Sequence, residues 1–253
     1  MSRHLFIIGA QRSGTTYLYK ILDAHPEVCM AKPIKPEPKY FMDPANAGSG
    51  YDVYYTKYFS DAGDVFWLGE KSTSYIECNE AALAIRQTVP DATILVILRD
   101  PVERAISHYS FTRDHGLEPY GIERAINEEP SRMHSWHSVG TSVSPYKYTE
   151  RGKYAQYLEH WEKLFGKDRL ILLVAEQFMG QQTEISALYD RLGITSHFVP
   201  PSLRERVNVG SAGRGRCKLS DGLRASLHAM FRPWNRKLEK YYGLDLSCWE
   251  EKA

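Results

Sequence analysis

The chain has 253 residues, 43% of them hydrophobic and 25% charged, the proportions of a folded globular protein rather than a disordered, collagen-like or coiled-coil chain. Its 32 basic and 31 acidic residues leave a net charge of +1, which does not make a general polyanion surface, so nucleic acid is not an expected partner. No apolar run approaches the ~20 residues of a membrane span.

Met1-Ser2-Arg3-His4 leads directly into Leu5–Ile8, without a charged-then-apolar leader, and the expected location is the cytoplasm. Leu5–Ile8 reads as a buried strand ending at Gly9. The turn Gly9-Ala10-Gln11-Arg12-Ser13-Gly14-Thr15-Thr16 follows, and Leu18, Ile21 and Leu22 then recur at helical spacing until His25-Pro26 closes the helix. Strand, glycine loop and helix make one mononucleotide-binding unit. The prolines at 33, 36 and 38 resist both helix and central strand, so Lys32–Phe41 is expected to be an extended loop. Tyr51–Phe59 reads as helix, Phe66–Glu70 as a short strand delivering Lys71 and Ser72, and Ala81–Thr88 as helix. Thr93–Leu98 is a buried strand, and Pro101–Thr112 a helix with its proline early, where proline is tolerated.

Gly116–Arg151 is polar and poorly periodic, which suggests a substrate loop or lid. Beyond it, Tyr154–Phe165 is an amphipathic helix with Trp161 and Phe165 in the core, Leu170–Val174 a strand and Thr183–Leu192 a helix. Alternating strands and helices predict an α/β fold: a parallel sheet with helices on both faces and a ligand site at the carboxyl ends of the strands. With no repeat or low-complexity linker, residues 1–253 are expected to form a single domain. Cys29, Cys78, Cys217 and Cys248 are widely spaced, contain no CxxC, and are expected to be reduced structural thiols. Between Arg204 and Lys240 ten basic residues face only Glu205, Asp221 and Glu239. This segment suggests a local anion site, although from Arg224 onward a solvated surface helix accounts for the pattern.

Two elements carry chemistry. The glycine loop has the Gly9-x4-Gly14 spacing of a phosphate-binding loop, but Thr15 stands where a nucleotide triphosphatase carries lysine, and Arg12 supplies a cation inside the loop. Backbone N–H groups of Ser13–Thr16 at a helix N-terminus form an anion cradle, and the hydroxyls of Thr15 and Thr16 add donors. The second element is Leu98-Arg99-Asp100-Pro101, with Ser107 about two turns into the following helix. Arg99 and Ser107 suit a second phosphate, while Arg99 and Asp100 taken alone read as a surface ion pair.

Together these elements resemble the nucleotide site of sulfotransferases that use 3′-phosphoadenosine 5′-phosphosulfate (PAPS). His25-Pro26, Glu37-Pro38-Lys39-Tyr40-Phe41, Glu70-Lys71-Ser72-Thr73-Ser74-Tyr75, Arg99-Asp100-Pro101, Arg151-Gly152-Lys153-Tyr154 and Tyr157–Trp161 follow the order of the heparan sulfate N- and 3-O-sulfotransferase branch. The resemblance implies a sulfotransferase fold with a P-loop-like sheet. It also implies PAPS as co-substrate and its desulfated product 3′-phosphoadenosine 5′-phosphate (PAP). Gln11, Arg12, Ser13, Gly14, Thr15 and Thr16 would hold the 5′-phosphosulfate, and Arg99 and Ser107 the 3′-phosphate. Arg214 or Arg216, in the basic loop 204–218, would cover the nucleotide. Glu37 falls at the catalytic base and Lys71 near the transferring sulfuryl group, with Arg12 as a further catalytic cation. The sequence departs from the branch in having Arg12 for lysine, Lys39 where relatives have histidine or glutamine, and no cysteine pair around Cys217.

The expected reaction is in-line transfer of a sulfuryl group to a hydroxyl or amine of a saccharide or small molecule, with no metal required because side chains supply the cations. Self-association is left open. Without the resemblance, Glu37 reads as a loop acid paired with Lys35 or Lys39. His108 and His115 are further candidate bases, the first more suited to facing away from the phosphate. His134 and His137 lack a third ligand for a metal, and Trp136, Tyr146 and Tyr148 are candidates for an acceptor pocket. The competing readings are a P-loop kinase, which would want a lysine after Gly14, and a non-catalytic nucleotide- or glycan-binding module.

Overall fold

The structure, a computed structural model, describes residues 2–134, 140–205 and 219–250. In chain order the elements are β1 (Arg3–Gly9), α1 (Thr15–Asp23), β2 (Val28–Met30), α2 (Pro44–Ala47), α3 (Tyr51–Phe59), β3 (Trp67–Lys71), α4 (Asn79–Thr88), β4 (Thr93–Leu98) and α5 (Pro101–Asp114). There follow α6 (Ile122–Asn127), α7 (Glu129–Arg132), α8 (Tyr154–Phe165), β5 (Leu170–Val174), α9 (Ala175–Phe178), α10 (Gln182–Leu192) and α11 (Asp221–Lys237). The described residues form two compact units, 2–98 with 157–205 and 99–134 with 140–156 and 219–250.

The first unit holds a five-stranded sheet of order β2-β3-β1-β4-β5, parallel at every pairing. Parallel neighbours need crossover connections, which the intervening helices supply. Strand β1 is central, and its side chains divide by the period of two between the faces. Leu5 and Ile7 join one cluster with Leu18, Ile21 and Leu22 of α1 and Ile185 and Leu188 of α10. Phe6 points to the other face, with its ring 5.8 Å from Phe41 and 6.3 Å from Tyr54 of α3. Both faces are covered, so β1 and β4 read as continuous apolar runs rather than alternating ones. The strand order reverses between β1 and β4, which puts the expected ligand crevice at their carboxyl ends.

The strands and long helices lie where the sequence places them, to within a few residues. Strand β2, only three residues long, escapes sequence reading because an apolar triplet carries no period. At Gly69, in β3, an added Cβ would overlap Met30 Sδ and Leu5 Cδ1, so any larger residue would force those buried side chains to move.

In the second unit Val102, Ala105 and Tyr109 of α5 pack with Ile122, Ala125, Ile126, Tyr148, Leu227 and Phe231. Asp100 caps α5 by accepting from the N–H groups of Val102 and Glu103 at 2.7 and 3.0 Å, so its carboxylate takes the capping role rather than that of an exposed acid. Much of 116–151 is built into this core. Buried Glu129 accepts from the N–H groups of Thr149 and Glu150 at 2.6 and 2.8 Å, and Arg104 donates to the Tyr148 carbonyl. Glycine is required at 152, where a Cβ would lie 2.6 Å from the Phe231 ring.

Candidate active site

The glycine loop leaves the carboxyl end of β1 with the Ala10 N–H bonded to the Ile97 carbonyl at 2.9 Å. Arg12 and Gly14 take positive φ, 68° and 96°, a conformation that glycine adopts without strain. Gly14 is also the N-cap of α1 and gives it no side-chain cap, so no side chain of the cap residue occupies the first N–H groups of that helix, the kind of end where an anion is favoured. Ser13 is 1% exposed, and its buried Oγ has no hydrogen-bond partner among the described residues. A buried hydroxyl of this kind beside uncapped amides suits an anionic oxygen, which is the fit a phosphosulfate requires. Gln11 ties the loop to the turn after β3, its Nε2 donating to Ser74 Oγ at 3.1 Å.

Glu37, from the proline-rich loop, and Lys71, at the end of β3, meet as an ion pair in the first unit. Lys71 is the last residue of β3, and its register partner on β1 is Ile7. Its side chain is 3% exposed and its Nζ donates to Glu37 Oε1 at 2.6 Å, with Glu37 17% exposed. The other donors on Glu37 come from Thr73, whose N–H and hydroxyl both reach Oε2 at 2.9 Å. Glu37 is therefore paired with Lys71 rather than Lys35 or Lys39. The loop that carries it is closed at its far end by a 3₁₀ turn, Tyr40–Met42. Sequence reading gave a role to Lys71 and none to Thr73 or Ser74; the signal was the hydroxyl run Ser72-Thr73-Ser74 directly after a strand.

In the second unit Arg99 directly precedes the Asp100 cap. Its carbonyl accepts from the Tyr154 hydroxyl at 2.8 Å, which ties the start of α8 to this turn. Ser107 stands half-buried on α5. His108, the next residue, is buried: its ring lies 5.0 Å from Tyr148, and its Nε2 accepts from Arg151 at 3.3 Å. His115 is exposed and bonded to the Phe111 carbonyl at 2.8 Å. Tyr148, a candidate for an acceptor pocket, is fully buried, with its hydroxyl donating to Glu118 at 2.6 Å. The sequence pattern does not show this because the tyrosine sits in a polar, aperiodic stretch, held there by the buried carboxylate of Glu118. Tyr146 is half-buried under the Arg132 guanidinium, 4.2 Å from its ring centre. Trp136, His137, Arg214, Arg216 and Cys217 lie outside the described residues. Cys29 and Cys78 are free thiols. Among the described residues no cluster of His, Cys, Asp and Glu is placed to hold a metal, and no helix is long and apolar enough to cross a membrane.

Comparison with known proteins points to sulfotransferases. Heparan sulfate glucosamine 3-O-sulfotransferase 6 of mouse is 26% identical over 260 aligned residues, covering 94% of this chain and 71% of the relative. Bifunctional heparan sulfate N-deacetylase/N-sulfotransferase 4 of mouse is 28% identical over 197 residues, 76% of this chain but only 22% of that protein. A sulfotransferase structure from Alicyclobacillus acidocaldarius superposes with a TM-score of 0.81 at 24% identity, covering 99% of this chain and 100% of the other. A mouse sulfotransferase solved in complex with PAP superposes with a TM-score of 0.56 at 14% identity over 99% and 89% of the two chains. The sulfotransferase domain model matches residues 2–208, and the chain belongs to that family of transferases.

Proposed function

We propose that this sulfotransferase takes its sulfuryl group from PAPS and delivers it to a hydroxyl or amine of a saccharide or small-molecule acceptor, releasing PAP. The observation that carries the reading is the contact between Lys71 and Glu37 at the carboxyl edge of the sheet, where Gln11 also binds the glycine loop to the turn after Lys71. A cation for the sulfuryl oxygens and a carboxylate for the acceptor proton stand side by side next to an anion-binding loop.

When bound, PAPS supplies an activated sulfuryl group whose transfer leaves charge on the departing nucleotide oxygen. The loop residues Gln11, Arg12, Ser13, Gly14, Thr15 and Thr16 hold the 5′ end through amides, hydroxyls and one guanidinium. Arg99 and Ser107 hold the 3′-phosphate. Arg214 or Arg216 covers the nucleotide. Lys71 and Arg12 neutralise charge as it develops, the kind of contribution that usually dominates such catalysis. Glu37 accepts the acceptor's proton. As Glu37 gains that proton it loses its attraction for Lys71, which leaves the ammonium free to serve the sulfuryl oxygens.

The relatives named for heparan sulfate direct the choice of acceptor. The test is an acceptor panel incubated with isotope-labelled PAPS and read by mass, with desulfated heparan oligosaccharides first and amino sugars and simple phenols after them. A product carrying the label, formed together with PAP, is expected. ATP with magnesium replacing PAPS as the group donor would overturn the reading.

A further inference from the structure

Glu70 is fully buried one residue before Lys71, on the face of the sheet that carries Phe6, its register partner on β1. Three hydroxyls serve its carboxylate. Ser72 Oγ donates to Oε1 at 2.7 Å and Tyr54 Oη to Oε2 at 2.9 Å, and Tyr75 is a third hydrogen-bond partner. Two of these hydroxyls bear a second contact. Ser72 Oγ accepts from the Lys39 N–H at 2.8 Å, and Tyr75 Oη accepts from the Phe41 N–H at 3.0 Å. Lys39 and Phe41 close the loop that carries Glu37.

The polarity of this arrangement is set by the carboxylate. A hydroxyl has one proton to give. When that proton points at Glu70, the oxygen lone pairs turn toward the amides of Lys39 and Phe41. Burial, reinforced by the Glu70 charge, pushes the Tyr54 and Tyr75 hydroxyls well above the usual tyrosine range, so both keep their protons. Tyr54 differs in that its hydroxyl comes from α3 and makes no hydrogen bond to the Glu37 loop; its ring packs 5.1 Å from Tyr40 and 4.9 Å from Phe41, a contact that Tyr54→Phe leaves in place. Burial is also the main influence raising the Glu70 carboxyl, opposed by its three hydroxyl donors. Hydrogen bonds, rather than a cation, are what oppose that rise, and the nearby Glu37 charge adds to it.

We propose that Glu70 is a positioning residue for the transfer reaction: through Ser72 and Tyr75 it orients the two amides that hold the Glu37 loop, and so sets where the Glu37 carboxylate meets the acceptor. The proposal rests on Glu37 being the base.

The test compares Glu70→Gln, Ser72→Ala and Tyr54→Phe, each alone and the first also with Glu37→Gln. Two quantities are read: hydrogen exchange across residues 36–41, and PAP formation from PAPS with water and with a desulfated heparan oligosaccharide. Glu70→Gln and Ser72→Ala are expected to speed exchange in that segment. They should lower kcat by about 10- to 100-fold, the scale of a roughly 1 Å misplacement, with KM for PAPS unchanged. Tyr54→Phe removes a bond to the same carboxylate and is expected to change neither quantity. On the Glu37→Gln background Glu70→Gln should have no further effect on rate. Equal losses from Tyr54→Phe and Ser72→Ala would overturn the proposal, and so would an undiminished effect of Glu70→Gln on that background. If Glu70→Gln does not fold, Ser72→Ala and Tyr54→Phe decide the matter. If Glu37→Gln alone leaves the rate unchanged, the base assignment itself fails, and the positioning role with it.

Discussion

The ammonium of Lys71 sits 2.6 Å from the carboxylate of Glu37, a residue 34 positions earlier in the chain. Lys71 is almost wholly buried at 3% side-chain exposure and Glu37 half-enclosed at 17%, so the carboxylate is the main compensation for the hydration that the ammonium loses.

Replacing Lys71 with methionine keeps most of the side-chain volume and removes the charge. Turnover is expected to fall by about 10²- to 10³-fold, the usual effect of deleting one donor to developing charge. The melting temperature should also drop, because Glu37 is left half-enclosed without its cation. Steady-state kinetics and a thermal melt check both; unchanged turnover would remove Lys71 from the chemistry.

Glu37→Gln keeps the shape and the bonds from Thr73 while abolishing the proton acceptor. The expected result is a loss of about 10²- to 10⁴-fold in kcat, with PAP binding unchanged by calorimetry. A large loss of PAP affinity would instead make Glu37 part of the nucleotide site.

Gly14 holds φ at 96°, and a Cβ there would stand 2.7 Å from Met179 Sδ. Gly14→Ala introduces left-handed strain of about 1–2 kcal/mol, and the loop can relieve it only by turning its amides. Loss of one charge-assisted bond costs about 1.5–3 kcal/mol, so PAP affinity should weaken by about 10- to 100-fold in a protein that still folds. Calorimetry against PAP and circular dichroism together separate this from general unfolding.

His4 is buried among aromatic rings, 5.3 Å from Tyr51 and 5.8 Å from Phe59, and burial lowers its pKa from 6.5 to about 4. Between those values the unfolded chain binds a proton that the native state refuses. Stability therefore falls as pH drops through that window, by about 3 kcal/mol when complete. Above pH 6.5 the contribution is fully present. Urea unfolding at pH 7 and pH 4.5 should show a smaller acid loss for His4→Phe than for the parent protein; equal losses would place the sensitivity elsewhere.

The loop, the strands and the order of the motifs were legible because each rests on a local rule. Glycine spacing set the turn at Gly9–Thr16, apolar runs marked β1, β4 and β5, and early proline marked the start of α5. What stayed hidden depends on contacts across the chain. Nothing near Glu37 in sequence names Lys71 as its partner, and Lys35 and Lys39 are closer decoys. Glu70 reads as one more charge beside a strand end, and only the meeting of Ser72 with Lys39 and of Tyr75 with Phe41 shows what it touches. Tyr148 was misplaced because a buried tyrosine held by Glu118 has no periodic signature. The short strand β2 went unseen for the same lack of a pattern.

The most direct test of the account is calorimetric titration of the protein with PAP, with adenosine 5′-phosphate and with ATP plus magnesium. The account predicts that PAP binds tightest at one site per chain, that adenosine 5′-phosphate loses affinity for want of the 3′-phosphate, and that Arg99→Ala erases this difference. Binding of ATP with magnesium as tight as that of PAP, or a difference that survives Arg99→Ala, would contradict it.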